Sequence, residues 1–141
     1  MTGFNIYEVQ KAVTTVLKAN STLTTLLGNG ASGILDNASS AKLLVFPYIE
    51  YTSIDAESFD TTSSTDSIVY LTITAFTQTG NKKEASDIMK ELHTSLHTAR
   101  LTVTGFGYAV SRWDGLSTII KEDVNGDIFN GIMRFKITVS V

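Results

Sequence analysis

The chain has 141 residues, 43% of them hydrophobic, a formal charge of −3 and no cysteine. That length suits one domain, 1–141, and that composition argues against disorder throughout. The missing cysteines exclude disulfides, thiolate metal sites and cysteine nucleophiles, and the negative balance argues against gripping nucleic acid over the whole surface.

No stretch approaches the ~20 apolar residues needed to cross a bilayer. Met1-Thr2-Gly3-Phe4-Asn5 lacks the basic region and apolar run of a secretory signal. A soluble product of the cytoplasm, with no membrane partner, is the expectation.

Asn5 can cap a first helix, with Glu8 three positions later and Phe4 and Val9 as the two ends of a hydrophobic staple. Ile6, Val9, Val13, Val16 and Leu17 recur at helical spacing and give it one apolar face. Ser21 restarts a short helical turn through Leu23, Leu26 and Leu27, which Gly28 and Gly30 end. Gly28–Ser40 reads as a loop, with Ile34-Leu35 open to a short strand.

Phe46 to Ile54 has the strand period, with Ile49 and Tyr51 on one side and Pro47 at the beginning or on an edge. Asp55–Ser67 then reads as a polar loop. It carries Asp55, Glu57, Asp60 and Asp66 among serines and threonines, and no basic residue. The strand Ser67–Thr77 has a core face of Val69, Leu71, Ile73 and Ala75. Its other face, Tyr70, Thr72, Thr74 and Phe76, is half apolar and half hydroxyl, which suits either solvent or a partly covering neighbour.

Gly80-Asn81 ends that strand, and Asn81 with Glu84 repeats the capping pattern for a second helix from Lys82 to about His97. Ala85, Ile88, Met89, Leu92 and Leu96 line one side of it, so it must pack on the sheet. Phe106–Trp113 reads as a strand, and Asn125-Gly126 as a hairpin turn. The final strand alternates, with Met133, Phe135, Ile137 and Val139 inward and Arg134, Lys136, Thr138 and Ser140 outward. The predicted architecture is α+β: an antiparallel sheet of about four to five strands with two main α-helices packed on one face.

Candidate chemistry is thin. His93 and His97 share a helix face, but a zinc protease needs a glutamate directly after the first histidine, and Thr94 stands there. Asp123-Val124-Asn125-Gly126-Asp127 has the oxygen spacing of half a calcium loop. Its glycine is misplaced, however, and no glutamate follows at the twelfth position. Gly28-Asn29-Gly30 and Gly105-Phe106-Gly107 lack the strand-to-helix context of a phosphate loop, and no Gly-x-Ser-x-Gly elbow occurs. No catalytic, metal or cofactor site is expected, and no enzyme.

The polar loop has two readings. One is a solvated hairpin tip; the other is a working surface, since strand connections are usually shorter. Acidic side chains repel phosphate and would suit a surface that DNA must pass without sticking.

Leu27-Gly28, Ile34-Leu35-Asp36 and Phe46-Pro47-Tyr48-Ile49, taken in order, resemble the opening of the tail terminator, or tail completion, proteins of long-tailed bacteriophages. The resemblance continues through Leu71-Thr72-Ile73-Thr74-Ala75-Phe76, Gly80, and the helix Lys83-Glu84-Ala85 through Leu92 and Leu96. It closes on Gly131-Ile132-Met133-Arg134-Phe135-Lys136-Ile137, so that it spans roughly Leu26 to Val139. It does not reach the Asp55–Ser67 segment, and it is weaker over Gly115–Asn125.

The resemblance implies a structural virion protein at the head-proximal end of the tail, assembled in the host cytoplasm. Such proteins form a ring, usually a hexamer, that ends tail tube polymerisation and presents a surface to the head connector. The implied partners are further copies of the chain, the tail tube protein and a head completion or connector protein, with DNA passing through the lumen unbound. Asp55, Glu57, Asp60 and Asp66 are candidates for a lumen-facing or tube-facing surface. Tyr70, Thr72, Thr74 and Phe76, together with the two sheet edges, are candidates for the subunit interface. The rival readings are a tail tube subunit or other neck protein, and a small non-viral binding domain.

Overall fold

The computed structural model describes residues 6–36, 45–58, 66–78, 81–122 and 128–140. In chain order they form α1 (Ile6–Lys18), α2 (Ser21–Leu26), β1 (Ile34–Leu35), β2 (Tyr48–Ser58), β3 (Asp66–Thr77), α3 (Lys83–Leu96), β4 (Ala99–Arg100), β5 (Tyr108–Glu122) and β6 (Ile128–Ser140). The six strands make one sheet in the order β1-β2-β3-β6-β5-β4. β1 runs parallel to β2, and every other neighbouring pair is antiparallel.

The α+β expectation holds, but the four to five antiparallel strands become six in a mixed sheet. β1 and β4 account for the difference. Each has two residues, too few to carry a period-two pattern, and each exists because a longer strand offers it an edge. Three α-helices lie among the described residues, the third being the short turn α2.

α1 buries Val9, Ala12, Val13 and Leu17, close to its expected face, while Ile6 and Val16 are partly buried. Its expected cap and staple, Asn5 and Phe4, lie outside the described residues. α2 is capped by Asn20, whose side-chain oxygen accepts the Leu23 N–H at 3.0 Å. The same side chain donates to Ser95 Oγ at 2.7 Å and so ties α2 to α3.

α3 buries the five predicted residues, Ala85, Ile88, Met89, Leu92 and Leu96. Its cap differs from expectation: Lys82 is the capping residue and makes no side-chain cap bond. Asn81 still serves the helix end, because its Oδ1 accepts the Lys83 N–H at 3.0 Å.

The core lies between the helices and one face of the sheet. β3 contributes Val69, Leu71, Ile73 and Ala75, and β6 contributes Met133, Phe135, Ile137 and Val139, all buried as the alternation required. α3 comes so close to β6 that a Cβ on Gly131 would lie 2.6 Å from Met89 Sδ. On β2, Tyr51 is buried against α1, its hydroxyl 2.6 Å from Thr14 Oγ1. Thr14 already donates to the Gln10 carbonyl, so Tyr51 is the donor.

Two sequence readings are corrected by strand length. The Asp55–Ser67 loop is strand at both ends: Asp55 and Glu57 belong to β2, and Asp66 and Ser67 open β3, with Ser58 paired to Ser67; residues 59–65 lie outside the described residues. Likewise, the strand expected at Phe106–Trp113 runs on to Glu122 through a bulge between Trp113 and Ser117. Gly115 takes φ +82° inside that bulge, and the Trp113 indole N–H donates to the Leu116 carbonyl at 3.1 Å across it. The Asn125-Gly126 turn and the Asp123–Asp127 loop lie outside the described residues.

Candidate functional site

The helices cover one face of the sheet; the other face is the candidate surface. β3 places Tyr70, Thr72, Thr74 and Phe76 along its middle, and the register extends each one sideways. Asp55, Tyr70, Lys136 and Arg112 stand in one row, and Ser53, Thr72 and Arg134 in the next. Glu50, Thr74, Ile132 and Thr118 form a third.

Three members of the mixed quartet, Tyr70, Thr74 and Phe76, are engaged within the subunit. The Arg134 guanidinium carbon sits 4.6 Å from the Tyr70 ring centre. Thr52 and Thr74 hydroxyls lie 3.0 Å apart. The Phe76 ring stacks on Tyr48, with centroids 4.9 Å apart. Tyr70, Thr72 and Phe76 remain half-buried, and Thr74 is buried.

Charge is divided across this face. β2 supplies Glu50, Asp55 and Glu57, while β6 and β5 supply Arg134, Lys136 and Arg112. Asp114 is an acid on the basic side, and Arg134 Nε donates to it at 2.6 Å. The face is thus acidic along one flank and basic along the other.

The predicted acids that the structure describes differ in burial. Asp55 and Glu57 are exposed on β2, whereas Asp66 is buried and accepts a hydrogen bond from the Ser140 hydroxyl. Asp60 lies outside the described residues. Sequence reasoning missed Arg112, Leu116 and Ile120 on β5; the last two are about half exposed, unusual for large aliphatic side chains. An alternation resuming after Gly115 was the available signal.

The two histidines serve structure. Their rings stack at 4.6 Å, His97 Nδ1 accepts the Trp113 N–H at 3.2 Å, and the Trp113 ring meets His93 edge-on. Among the described residues no group of three or more His, Cys, Asp or Glu could hold a metal, and no helix is long and apolar enough to cross a membrane.

A shallow groove of about 680 Å³ runs between α3 and the outer edge of β5. Met89, Trp113, Ile119 and Met133 form its floor, and Lys82, Lys90 and His93 its rim; among the described residues no acid lines it.

Residues 11–140 match the protein family described as tail completion protein gp17. No curated protein matches the chain by sequence. Among solved structures, a chain of the virion of a native gene transfer agent particle is similar, with a TM-score of 0.84 at 15% identity. The match covers 99% of this chain and 100% of that one. At that identity the likeness is one of fold.

Proposed function

The chain belongs to the tail completion protein gp17 family, and on that footing we propose that it forms a closed ring, of six copies, on the head-proximal end of a tail tube. The ring ends tube polymerisation and presents the surface to which the head connector attaches. The work is contact rather than catalysis.

The observation that carries the reading is the family match across residues 11–140. The likeness of fold to a gene transfer agent virion chain supports a place in a phage-like particle. The divided charge of the open face also fits. A ring needs heterologous contacts, in which one patch meets a different patch on the next copy, and a surface acidic on one flank and basic on the other supplies two such patches. In this reading Tyr70, Thr72, Thr74 and Phe76 contact a neighbouring copy. The exposed Asp55 and Glu57 belong to the surface turned to the lumen or the tube, where negative charge lets DNA slide past.

The test is the mass of the purified protein in solution, alone and mixed with tail tube protein. A species of ring size that caps tubes supports the proposal. Long polymers of this chain alone would make it a tube subunit. A monomer or dimer with no affinity for tube protein would make it an unrelated binding domain.

A further inference from the structure

Among the described residues, the sheet's two long outer strands are each half covered, and the uncovered halves lie at opposite corners. β1 pairs only with Ile49 and Glu50 of β2. β4 pairs only with Val110 and Ser111 of β5, and the next outward N–H, that of Trp113, goes to His97. Among the described residues, no strand covers Thr52–Glu57 of β2 or Gly115–Lys121 of β5.

The ladder fixes their relative heights. Tyr48 stands opposite Phe76, Phe76 opposite Asn130, and Asn130 opposite Ile120. At the other end Glu57, Ile68, Thr138 and Val110 share a row. The free half of β2 is therefore level with the covered half of β5, and the reverse holds at the other end.

An uncovered edge strand is a template for another chain unless something blunts it. Here the free half of β5 carries the half-exposed Leu116 and Ile120 and borders the groove floored by Met89 and Ile119. On its helix side the free half of β2 carries the partly buried Ile54, an apolar match for that groove, and on its open side it exposes Asp55 and Glu57.

Direction also fits. β2, β3, β6 and β5 alternate, so β2 and β5 run opposite ways. A copy placed beside another by simple rotation continues the alternation, with its β2 antiparallel to the first copy's β5.

We propose that the free half of β2 in one copy adds as a strand to the free half of β5 in the next, with Ala56 opposite Ser117. This rests on the ring reading above and specifies its joint. Ala56 and Ser117 both lie on the helix side of their strands, and Asp55 and Thr118 both lie on the open side. In this register Ile54 comes over the groove beside Ile119. The stagger between the free halves becomes a tilt of the strands, which is what closing a sheet into a barrel requires. β1 and β4 act as stops that forbid a level pairing.

Disulfide trapping tests the register without background, since the chain has no cysteine. Directly opposed residues in an antiparallel pair have Cα atoms about 4.5–5.5 Å apart, within disulfide reach. The Ala56→Cys/Ser117→Cys and Asp55→Cys/Thr118→Cys double variants would be oxidised alone and with tail tube protein, beside the four single variants. The expected result is a reducible ladder of covalent oligomers from the double variants, with single variants remaining at monomer size. A ring-sized mass in solution with no ladder from either pair overturns the joint and leaves the ring reading standing. A monomeric mass under both conditions, again with no ladder, overturns the ring reading and the joint together. A cross-link in a single variant would mean like strands meeting across a two-fold axis, and would also overturn the joint.

Discussion

Arg134 and Asp114 join the final strand to the bulge of β5: the Arg134 Nε–H donates to the Asp114 carboxylate at 2.6 Å. The same guanidinium lies over the Tyr70 ring at 4.6 Å. One side chain therefore links the middle of the open face to the irregular segment that ends at the free edge of β5.

Removing that link should be felt at both ends. A half-exposed ion pair and a cation–π contact together are worth about 1 kcal/mol, so Arg134→Ala should lower the melting temperature by roughly 3–5 °C. Asp114→Ala should cost less, because the stack on Tyr70 survives it. Thermal melts of the two variants followed by circular dichroism decide the order.

Tyr51 gives a prediction in alkaline solution. Burial raises its phenol pKa well above the ordinary value of 10.0, and the Asp36 charge adds to the rise. Above that ordinary value the unfolded chain loses the proton and the folded chain keeps it, so stability should fall with rising pH. Tyr51→Phe should remove that fall. At neutral pH it should cost about 1 kcal/mol for the lost hydrogen bond. Urea unfolding on either side of the phenol's ordinary pKa reads both effects.

Glu84 should act in the acid range. Desolvation raises its carboxyl pKa first and the Asp87 charge adds to it, against a backbone hydrogen bond from Gln78. Folded Glu84 holds its proton to higher pH than the unfolded chain does, so its contribution falls as pH rises through the window above the normal carboxylate value. Glu84→Gln should flatten that part of the stability profile. Urea titrations from about pH 4 to about pH 7 check it; an unchanged slope would contradict the assignment.

Gly131 marks the closest approach of α3 to β6. Gly131→Val would push Met89 from its place and should cost about 1–3 kcal/mol through overpacking. Denaturant melts give the value, and a neutral result would mean that the Met89 side chain moves aside freely.

Much of this was readable in the residues. The stripe of α3, the core face of β3 and the alternation of β6 are strong periodic signals, because each element has one face on the core and one off it. β1 and β4 were not readable, since a two-residue strand is a property of its neighbour's edge. β5 beyond Gly115 was obscured by an inverted pattern: Ser111 is turned inward and buried, while Leu116 and Ile120 are exposed. The acidic run was legible as composition but not as geometry. Strand pairing leaves Asp55 exposed on β2 and buries Asp66 beside Ser140, a difference in burial that linear spacing cannot express. The same pairing turned the first residues of a supposed loop into the acidic flank of the open face.

The central claim is that this chain closes on itself at the end of a tube. Light scattering with size-exclusion chromatography, on the protein alone and mixed with tail tube protein, tests it most directly. The account predicts a closed species six times the subunit mass that forms at or before contact with tube ends and grows no further. Open-ended polymers, or a monomer that ignores tube protein at every ratio, would contradict it.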